Sequence, residues 1–138
     1  RLQQALRRIG EARGEISLEF LADLPLEEAR AWLRAIPGVG PKTAAIVLLF
    51  ALGRPVFPVD THIHRVTGRL GLTPPKTTRE QAHEILEAII PPEIYSPFHI
   101  NLILHGRAVC HARNPEHERC VLREACAFYR SLDERGRR

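Results

Sequence analysis

The sequence is short of several residue types, and each shortage narrows what the protein can be. Its 138 residues include no methionine, which indicates a fragment or a processed chain. The longest apolar run, Ala44 to Leu52, is about half the length of a membrane-spanning helix, so we expect no membrane segment. The only three cysteines lie between positions 110 and 126. Such an odd, clustered set indicates a metal or cluster site in a reducing compartment rather than a disulfide framework.

Lysine is also scarce, although positive charge is not. The chain has 20 lysine and arginine residues against 16 acidic ones, and only Lys42 and Lys76 are lysines. The resulting net charge of +4 fits a nucleic-acid partner, but many proteins of other classes share it. Because arginine supplies most of the charge, the lysine just behind the glycine-rich turn in "IPGVGPKTAA" raises the question of why this position is not an arginine.

Apolar residues recur at helical spacing and no useful strand-like alternation is present, so the predicted fold class is all-α. Gly and Pro residues separate the predicted helices. One apolar helix should start at Pro41 and reach about Leu52. The other predicted signals are an Asp60 N-cap, a capping box of Thr78 and Gln81, a Ser96-Pro97 start for a helix to about Cys110, and a last helix at about 121–131.

The turn Pro37-Gly38-Val39-Gly40 offers backbone N–H groups at the start of the following helix. Unpaired N–H groups at a helix start attract anions, and a nucleic-acid phosphate is the obvious one. Because backbone contacts ignore base sequence, this arrangement suits a protein that searches DNA. A plain helix–helix connection with a glycine C-cap explains the four residues equally well.

The longer stretch "IPGVGPKTAAIVLLFALGRPVFPVDTHIHRV" resembles the helix-hairpin-helix motif and aspartate loop of the endonuclease III superfamily of DNA glycosylases. The features that carry the resemblance are the hairpin, Lys42 two residues after its second glycine, and Asp60 in "VDTH". The later "LILHGRAVC" and the cysteines extend it over essentially the whole chain. The implied fold is the C-terminal half of a six-helix barrel, residues 1–56, followed by the aspartate loop and a helical iron–sulfur lobe, residues 57–138.

This resemblance implies catalytic roles for Lys42 and Asp60. In the family, the lysine attacks the sugar C1′, expels the base and forms a Schiff base. A β-elimination then cuts the strand on the 3′ side. Arginine could not replace it, because a guanidinium stays protonated. The aspartate would stabilise the cationic sugar and assist proton transfers. Asp60 is also explained as a helix cap alone, and both roles can hold together.

The resemblance also implies how the chain contacts DNA. The matching DNA-binding positions are Gly38, Val39, Gly40, Thr43 and Arg65. For Arg65, a structural ion pair is the alternative to a phosphate contact. Family members bind a monovalent cation at the hairpin through backbone carbonyls, and the matching positions here are Arg34, Ile36 and Val39.

Many relatives end in a four-cysteine pattern, C-x6-C-x2-C-x5-C, that holds a [4Fe–4S] cluster. This chain keeps the spacing but has Cys110, His117, Cys120 and Cys126. A Cys3His cluster is chemically reasonable, since imidazole ligates iron in Rieske centres. The alternatives are another fourth ligand such as His111 or Glu118, a tetrahedral zinc ion, and a three-iron or lost cluster.

Taken together, the implied function is base-excision repair by a DNA glycosylase with abasic-site lyase activity, acting on oxidised pyrimidines in double-stranded DNA. The alternatives are a glycosylase without lyase activity and a non-catalytic helix-hairpin-helix DNA-binding module.

Family members carry roughly 80 residues before the point that matches Arg1. Another segment or chain would therefore supply the missing barrel half, and the chain alone need not be active. Without it, the face of Ala44 to Leu52 should be exposed. The implied location is the bacterial cytoplasm, at the nucleoid.

Overall fold

A computed structural model describes residues 1–136, and all regular structure in this part of the chain is helical. The predicted all-α class is therefore confirmed. Within residues 1–136, short 3₁₀ turns and one π-helix, Val47–Ala51, connect or extend seven α-helices. The helices are α1 Leu2–Arg13, α2 Leu26–Arg34, α3 Pro41–Ile46, α4 Thr61–Leu70, α5 Arg79–Ile89, α6 Tyr95–Ala108 and α7 Ala127–Gly136.

None of the helices in residues 1–136 combines the length and the apolar character that crossing a membrane requires.

The chain divides into two compact units, Arg1–Pro58 and Val59–Arg138. The boundary predicted from sequence, between residues 56 and 57, lies two residues before this division. Each unit is described by itself below.

The first unit holds the apolar core built by α1, α2 and α3. One Nη of Arg54 donates to the carbonyls of Leu21 at 2.7 Å and Ala22 at 2.9 Å. These hydrogen bonds hold the segment before α2 against the loop that follows the π-helix. The sequence predicted that the apolar face of Ala44 to Leu52 is exposed. This prediction is wrong for Ala44, Ala45 and Leu48, because other helices of the same unit bury them. Nine residues form the buried cluster: Ile9, Leu21, Ala29, Leu33, Ile36, Ala44, Ala45, Leu48 and Val56.

The helix after the hairpin changes its winding partway along. It is α-helical to Ile46 and π-helical over Val47–Ala51, so the predicted extent to about Leu52 is right but the predicted regular geometry is not. The π-turn buries Leu48 completely and leaves Phe50 45% exposed. Widened turns of this kind are rare and are often found at functional sites.

In the second unit, α4 packs against α5, α6 and α7. Its N-cap is Asp60, whose Oδ1 accepts the N–H of Ile63 at 2.8 Å, as predicted. The predicted capping box at the start of α5 is also confirmed, with Thr78 and Gln81 each accepting the other's backbone N–H. Both caps satisfy N–H groups that a helix start leaves unpaired.

Two predicted boundaries in this unit are wrong. Helix α6 starts at Tyr95 rather than after a Ser96 cap, because a 3₁₀ turn over Pro92–Ile94 runs directly into it. The last helix is Ala127–Gly136 rather than about 121–131, because a 3₁₀ turn over Arg123–Ala125 precedes it. Local sequence signals do not distinguish such turns from the first turn of an α-helix.

Candidate functional site

The glycine-rich turn has the sharp geometry that its sequence predicts. Gly38 has φ of 87°, a left-handed conformation that glycine adopts without steric cost. The N–H of Val39 donates to the Ile36 carbonyl at 3.0 Å, which closes the turn. Gly40 is then the extended N-cap of α3, and Pro41 occupies the first helical position. Residues 35–40 therefore connect the end of α2 to the start of α3 through a short, sharp turn.

Lys42 and Thr43 follow in the first turn of α3, and both are exposed. The N–H of Ala44 donates to the Gly40 carbonyl at 3.0 Å, whereas the earlier N–H groups of an α-helix have no partner one turn back. Among residues 1–58, no hydrogen bond or ion pair occupies the Lys42 amine. The amine is consequently available to a ligand that approaches the hairpin.

The three positions proposed for a cation differ in how their carbonyls are used. The Ile36 carbonyl accepts the N–H of Val39 and keeps its second lone pair. Arg34 is the last residue of α2, where carbonyls lack an intrahelical partner. Val39 lies between the two glycines of the turn. The cation itself stays a prediction.

Asp60 is buried, with 8% of its surface exposed, although it precedes an exposed helix start. Three buried residues, Phe57, Pro58 and Val59, lead into it. Because the Ile63 N–H holds one carboxylate oxygen, the side chain has a fixed orientation. The cap and a chemical role for the carboxylate are compatible in this position.

Arg65 has a use that the sequence did not indicate. Its Nε donates to the Cys110 carbonyl at 3.1 Å and one Nη to the Gly106 carbonyl at 2.8 Å, at the C-terminal end of α6. The same Nη lies 3.1 Å from His62 Nδ1. A guanidinium at the end of a helix satisfies carbonyls that otherwise lack partners. Arg65 thus connects the helix that Asp60 caps to the start of residues 110–126, the cysteine segment.

We expect Gly106→Ala to destabilise the second unit by about 1–3 kcal/mol, because α4 and α6 approach each other at this residue. A Cβ at Gly106 would lie 3.0 Å from His62 Cβ and 3.3 Å from an Arg65 Nη. The His62 Cβ is fixed to the backbone and cannot rotate away. Urea unfolding should show a lower midpoint for this variant.

Gly68→Ala is the matched control, since Gly68 is also in a helix but is exposed. Its added Cβ would meet nothing closer than Thr73 Oγ1 at 3.8 Å. Removing a helical glycine there should stabilise the chain by up to about 1 kcal/mol. Equal midpoints for the two variants would contradict the proposed close approach of α4 and α6.

The three cysteines and His117 line one cavity, together with Arg69, Phe128 and Tyr129. The His117 ring packs against these last two aromatic rings, with centroids 6.1 and 5.1 Å apart. Neither alternative ligand lies among the cavity-lining residues: His111 pairs with Glu116 at 3.1 Å, and the exposed Glu118 pairs with Arg123 at 3.3 Å.

Arg69 is a second arginine whose role the sequence did not indicate. One Nη donates to Cys110 Sγ at 3.2 Å and to the His111 carbonyl at 2.7 Å. The other Nη donates to the Ala112 carbonyl at 3.0 Å. The Arg69 carbonyl in turn accepts from Cys126 Sγ at 3.3 Å. The residue therefore connects α4 to both ends of the cysteine segment and brings positive charge to one sulfur.

The donor set suits a cluster or a single ion chemically, and either one would require the side chains to move. Tetrahedral zinc needs four donors within about 2.0–2.3 Å of one point, and in residues 1–136 no group of three or more His, Cys, Asp or Glu side chains is arranged to hold a metal ion. In an iron–sulfur cluster, each ligand binds a different iron, so the donors can stay apart around a shared space. That space measures about 20 Å³, roughly enough for one water, so cluster loading would move the side chains outward.

Two groups close to the cysteines have shifted pKa values. Hydrogen bonds from Arg119 and His111 hold the pKa of Glu116 below its ordinary value, which keeps this loop carboxylate ionised. Partial burial lowers the pKa of His105. This imidazole lies 3.6 Å from Cys120 Sγ and is predominantly neutral at pH 7.

The cysteine segment matches a known family. Residues 110–126 match the family described as the iron–sulfur binding domain of endonuclease III. The expectation of iron–sulfur binding is thereby supported, while the identity of the fourth ligand is not addressed by this match.

Sequence relatives extend the similarity over most of the chain. The chain is 44% identical over 106 residues to endonuclease III of Escherichia coli K12, which covers 77% of this chain and 50% of the relative. It is 34% identical to endonuclease III of Bacillus subtilis 168 over 98% of this chain and 65% of the relative. The chain spans about half the length of most of the curated relatives it matches.

Solved structures agree on the fold. A trapped covalent intermediate of endonuclease III with DNA superposes with a TM-score of 0.75 at 32% identity, covering 94% of this chain and 57% of that one. A thermostable thymine-DNA glycosylase superposes with a TM-score of 0.69 at 23% identity, which indicates a shared fold alone.

An all-helical chain with this hairpin, aspartate cap and cysteine segment has the helix-hairpin-helix DNA glycosylase fold. The chain belongs to the endonuclease III family within that superfamily.

Proposed function

We propose that this chain carries the catalytic lysine and carboxylate of a DNA glycosylase with abasic-site lyase activity. The observation that carries the proposal is the placement of Lys42: an exposed amine directly after the hairpin, in a unit whose other basic side chains are all arginine. The trapped covalent DNA complex of a 32% identical relative supports a covalent mechanism for this family.

In this mechanism, the neutral Lys42 amine attacks C1′ of the damaged nucleotide. The bond to the base breaks, and the base leaves with the electron pair and a proton. The bound amine then loses a proton, and the C1′–O4′ bond breaks as nitrogen forms the C=N bond of a Schiff base and O4′ takes up a proton. Removal of a C2′ proton then expels the 3′ phosphate and cuts the strand. Asp60 would stabilise the cationic sugar and assist these proton transfers.

The proposed contacts to DNA combine the hairpin with one arginine. Gly38, Val39, Gly40 and Thr43 would face a phosphate through the backbone and the first turn of α3, which reads no base sequence. A monovalent cation on the carbonyls of Arg34, Ile36 and Val39 would bridge the turn to that phosphate. Arg65 is a weaker candidate, since its Nε and one Nη are already used on α6 carbonyls.

We further propose that Cys110, His117, Cys120 and Cys126 ligate a [4Fe–4S] cluster. The support is that all four side chains line one cavity. When bound, the cluster would hold the cysteine segment in one conformation. Its role in this proposal is structural, and no step of the sugar chemistry uses it.

His117→Cys should retain the visible absorption of the cluster and lose iron to a chelator more slowly than the wild type, because a thiolate binds iron more tightly than imidazole. His117→Ala should lower the iron content. The measurement is iron per chain before and after incubation with the chelator. Unchanged iron content and release rate in His117→Ala would rule out His117 as a ligand.

The proposed substrate is an oxidised pyrimidine in double-stranded DNA. The pocket for the flipped base and the side chain that fills the vacated stack would come from another segment or chain, since relatives are about twice as long. A protein that repairs bacterial chromosomal DNA would work in the cytoplasm, at the nucleoid.

Borohydride trapping on a duplex with a preformed abasic site tests the function directly. An abasic site has no base to bind, so this substrate does not depend on a pocket for the flipped base. The sugar aldehyde and the amine condense to an imine with loss of water, and borohydride reduces the imine to a stable amine link. A chain–DNA adduct on a denaturing gel is the expected result.

Two further assays, base release from a damaged duplex and gel shift, separate the two alternative functions. A glycosylase without lyase activity should release a damaged base without forming an adduct. A DNA-binding module should retain the duplex in a gel-shift experiment, with neither adduct nor base release. Either result would overturn the proposed lyase activity.

A further inference from the structure

His105 contacts two of the proposed cluster ligands. Its carbonyl accepts the N–H groups of Val109 at 3.0 Å and Cys110 at 2.9 Å, where α6 ends. Its imidazole Nε2 lies 3.6 Å from Cys120 Sγ. One residue thus holds the backbone of the first cysteine and touches the sulfur of the second.

The imidazole contacts Cys120 without lining the cavity that the four ligand candidates share. It therefore contacts the sulfur from outside that cavity, in a position to support a ligand. A metal-bound thiolate has no proton, so a hydrogen bond at this contact requires the proton on Nε2. Partial burial of the ring excludes some of the water that would otherwise compete for the sulfur.

The three cysteines differ in what their sulfurs face. Cys110 Sγ accepts from the Arg69 guanidinium, and Cys120 Sγ lies against an imidazole that can donate. Cys126 Sγ instead faces the Arg69 carbonyl, which only accepts. Hydrogen bonds to cluster sulfurs stabilise the more negative, reduced state and so raise the reduction potential. The environments of the three sulfurs are therefore electronically unequal.

We propose that His105 is a positioning residue that donates Nε2–H to the Cys120 thiolate and raises the reduction potential of the cluster. The proposal rests on the cluster proposed above and goes beyond it by assigning a role to a residue that is not a ligand. By orienting one ligand sulfur and holding the Cys110 N–H, His105 also connects α6 to the cysteine segment.

Two substitutions separate the hydrogen bond from the packing of the ring. His105→Phe keeps an aromatic ring but has no donor, whereas His105→Gln keeps an N–H of similar reach. After cluster content is measured by visible absorption, film voltammetry should show a lower reduction potential for His105→Phe. His105→Gln should lie between that variant and the wild type. A purely structural role would change cluster content without this order of potentials.

The outcomes distinguish this inference from the cluster proposal. No visible absorption in the wild type would overturn the cluster proposal. Equal potentials in all three proteins at normal cluster content would overturn the role of His105 alone.

A measurement on loaded wild type covers the case in which His105→Phe fails to bind the cluster. Paramagnetic NMR with ¹⁵N-histidine labelling should show a shifted, exchangeable imidazole N–H proton that disappears in His105→Gln. Absence of that proton from the wild-type spectrum would also overturn the inference.

Discussion

Replacing Lys42 by glutamine should abolish the borohydride-trapped adduct on abasic DNA. The adduct needs a primary amine, and the glutamine amide is not nucleophilic enough to form an imine. Because α3 begins at Pro41 and the Lys42 side chain is exposed, the substitution should leave the hairpin and the buried Ala44 in place. The expected effect is complete loss of adduct, measured by denaturing gel, with no change in the urea midpoint.

The composition of the chain provides an unusually clean control. Lys76 is the only other lysine, and it is exposed in the second unit. Lys76→Gln should form the adduct at the wild-type level, although it removes the same charge. Lys42→Arg is a second control, since it keeps the charge and removes the nucleophile. It should retain DNA binding and form no adduct.

An adduct that persists in Lys42→Gln would contradict the proposed role. If it persisted in the double variant with Lys76→Gln as well, the α-amine of the chain would be the reacting group. Peptide mapping of the reduced adduct identifies the linked residue in either case.

Asp60→Asn should lower the rate of strand cleavage at an abasic site by about 10²–10⁴-fold, the range that general acid–base catalysis contributes. Asparagine caps helices as well as aspartate does, and its amide oxygen can still accept the Ile63 N–H. The variant should therefore keep the wild-type urea midpoint. Asp60→Ala removes both functions, so it should also lose about 1 kcal/mol of stability.

Comparison of these two variants separates the cap from the chemistry. Single-turnover cleavage of an abasic duplex gives the rate, and urea unfolding gives the stability. Wild-type cleavage by Asp60→Asn would reduce Asp60 to a helix cap. A large stability loss in Asp60→Asn would indicate instead that the buried carboxylate has a structural role beyond the cap.

The features that could be predicted from sequence are those with local causes. A proline and glycines between two apolar helical patterns require a turn, and Gly38 has the positive φ that such a turn needs. The Asp60 cap and the Thr78–Gln81 capping box connect residues three apart, so both can be recognised without knowledge of the fold. The same holds for the spacing of the cysteines and His117.

The contacts that sequence did not indicate connect distant residues. Arg65 reaches the carbonyls of Gly106 and Cys110, and Arg69 reaches the sulfur of Cys110, 41 residues away. In sequence, Arg69 looks like a solvent-exposed cation on a helix, and Arg65 looks like a phosphate contact or an ion-pair partner. Their roles become visible only when α6 is placed beside α4.

The sequence by itself therefore determined the helical class, the hairpin, the caps and the residue types available for chemistry, because each depends on neighbours within a few positions. Only the tertiary structure decided that the inner face of Ala44 to Leu48 is covered. It also decided which arginines are committed to carbonyls, and that His117 rather than His111 or Glu118 lines the cavity with the three cysteines. These outcomes depend on which helices pack together, and packing depends on shape and buried area summed over residues far apart in the chain.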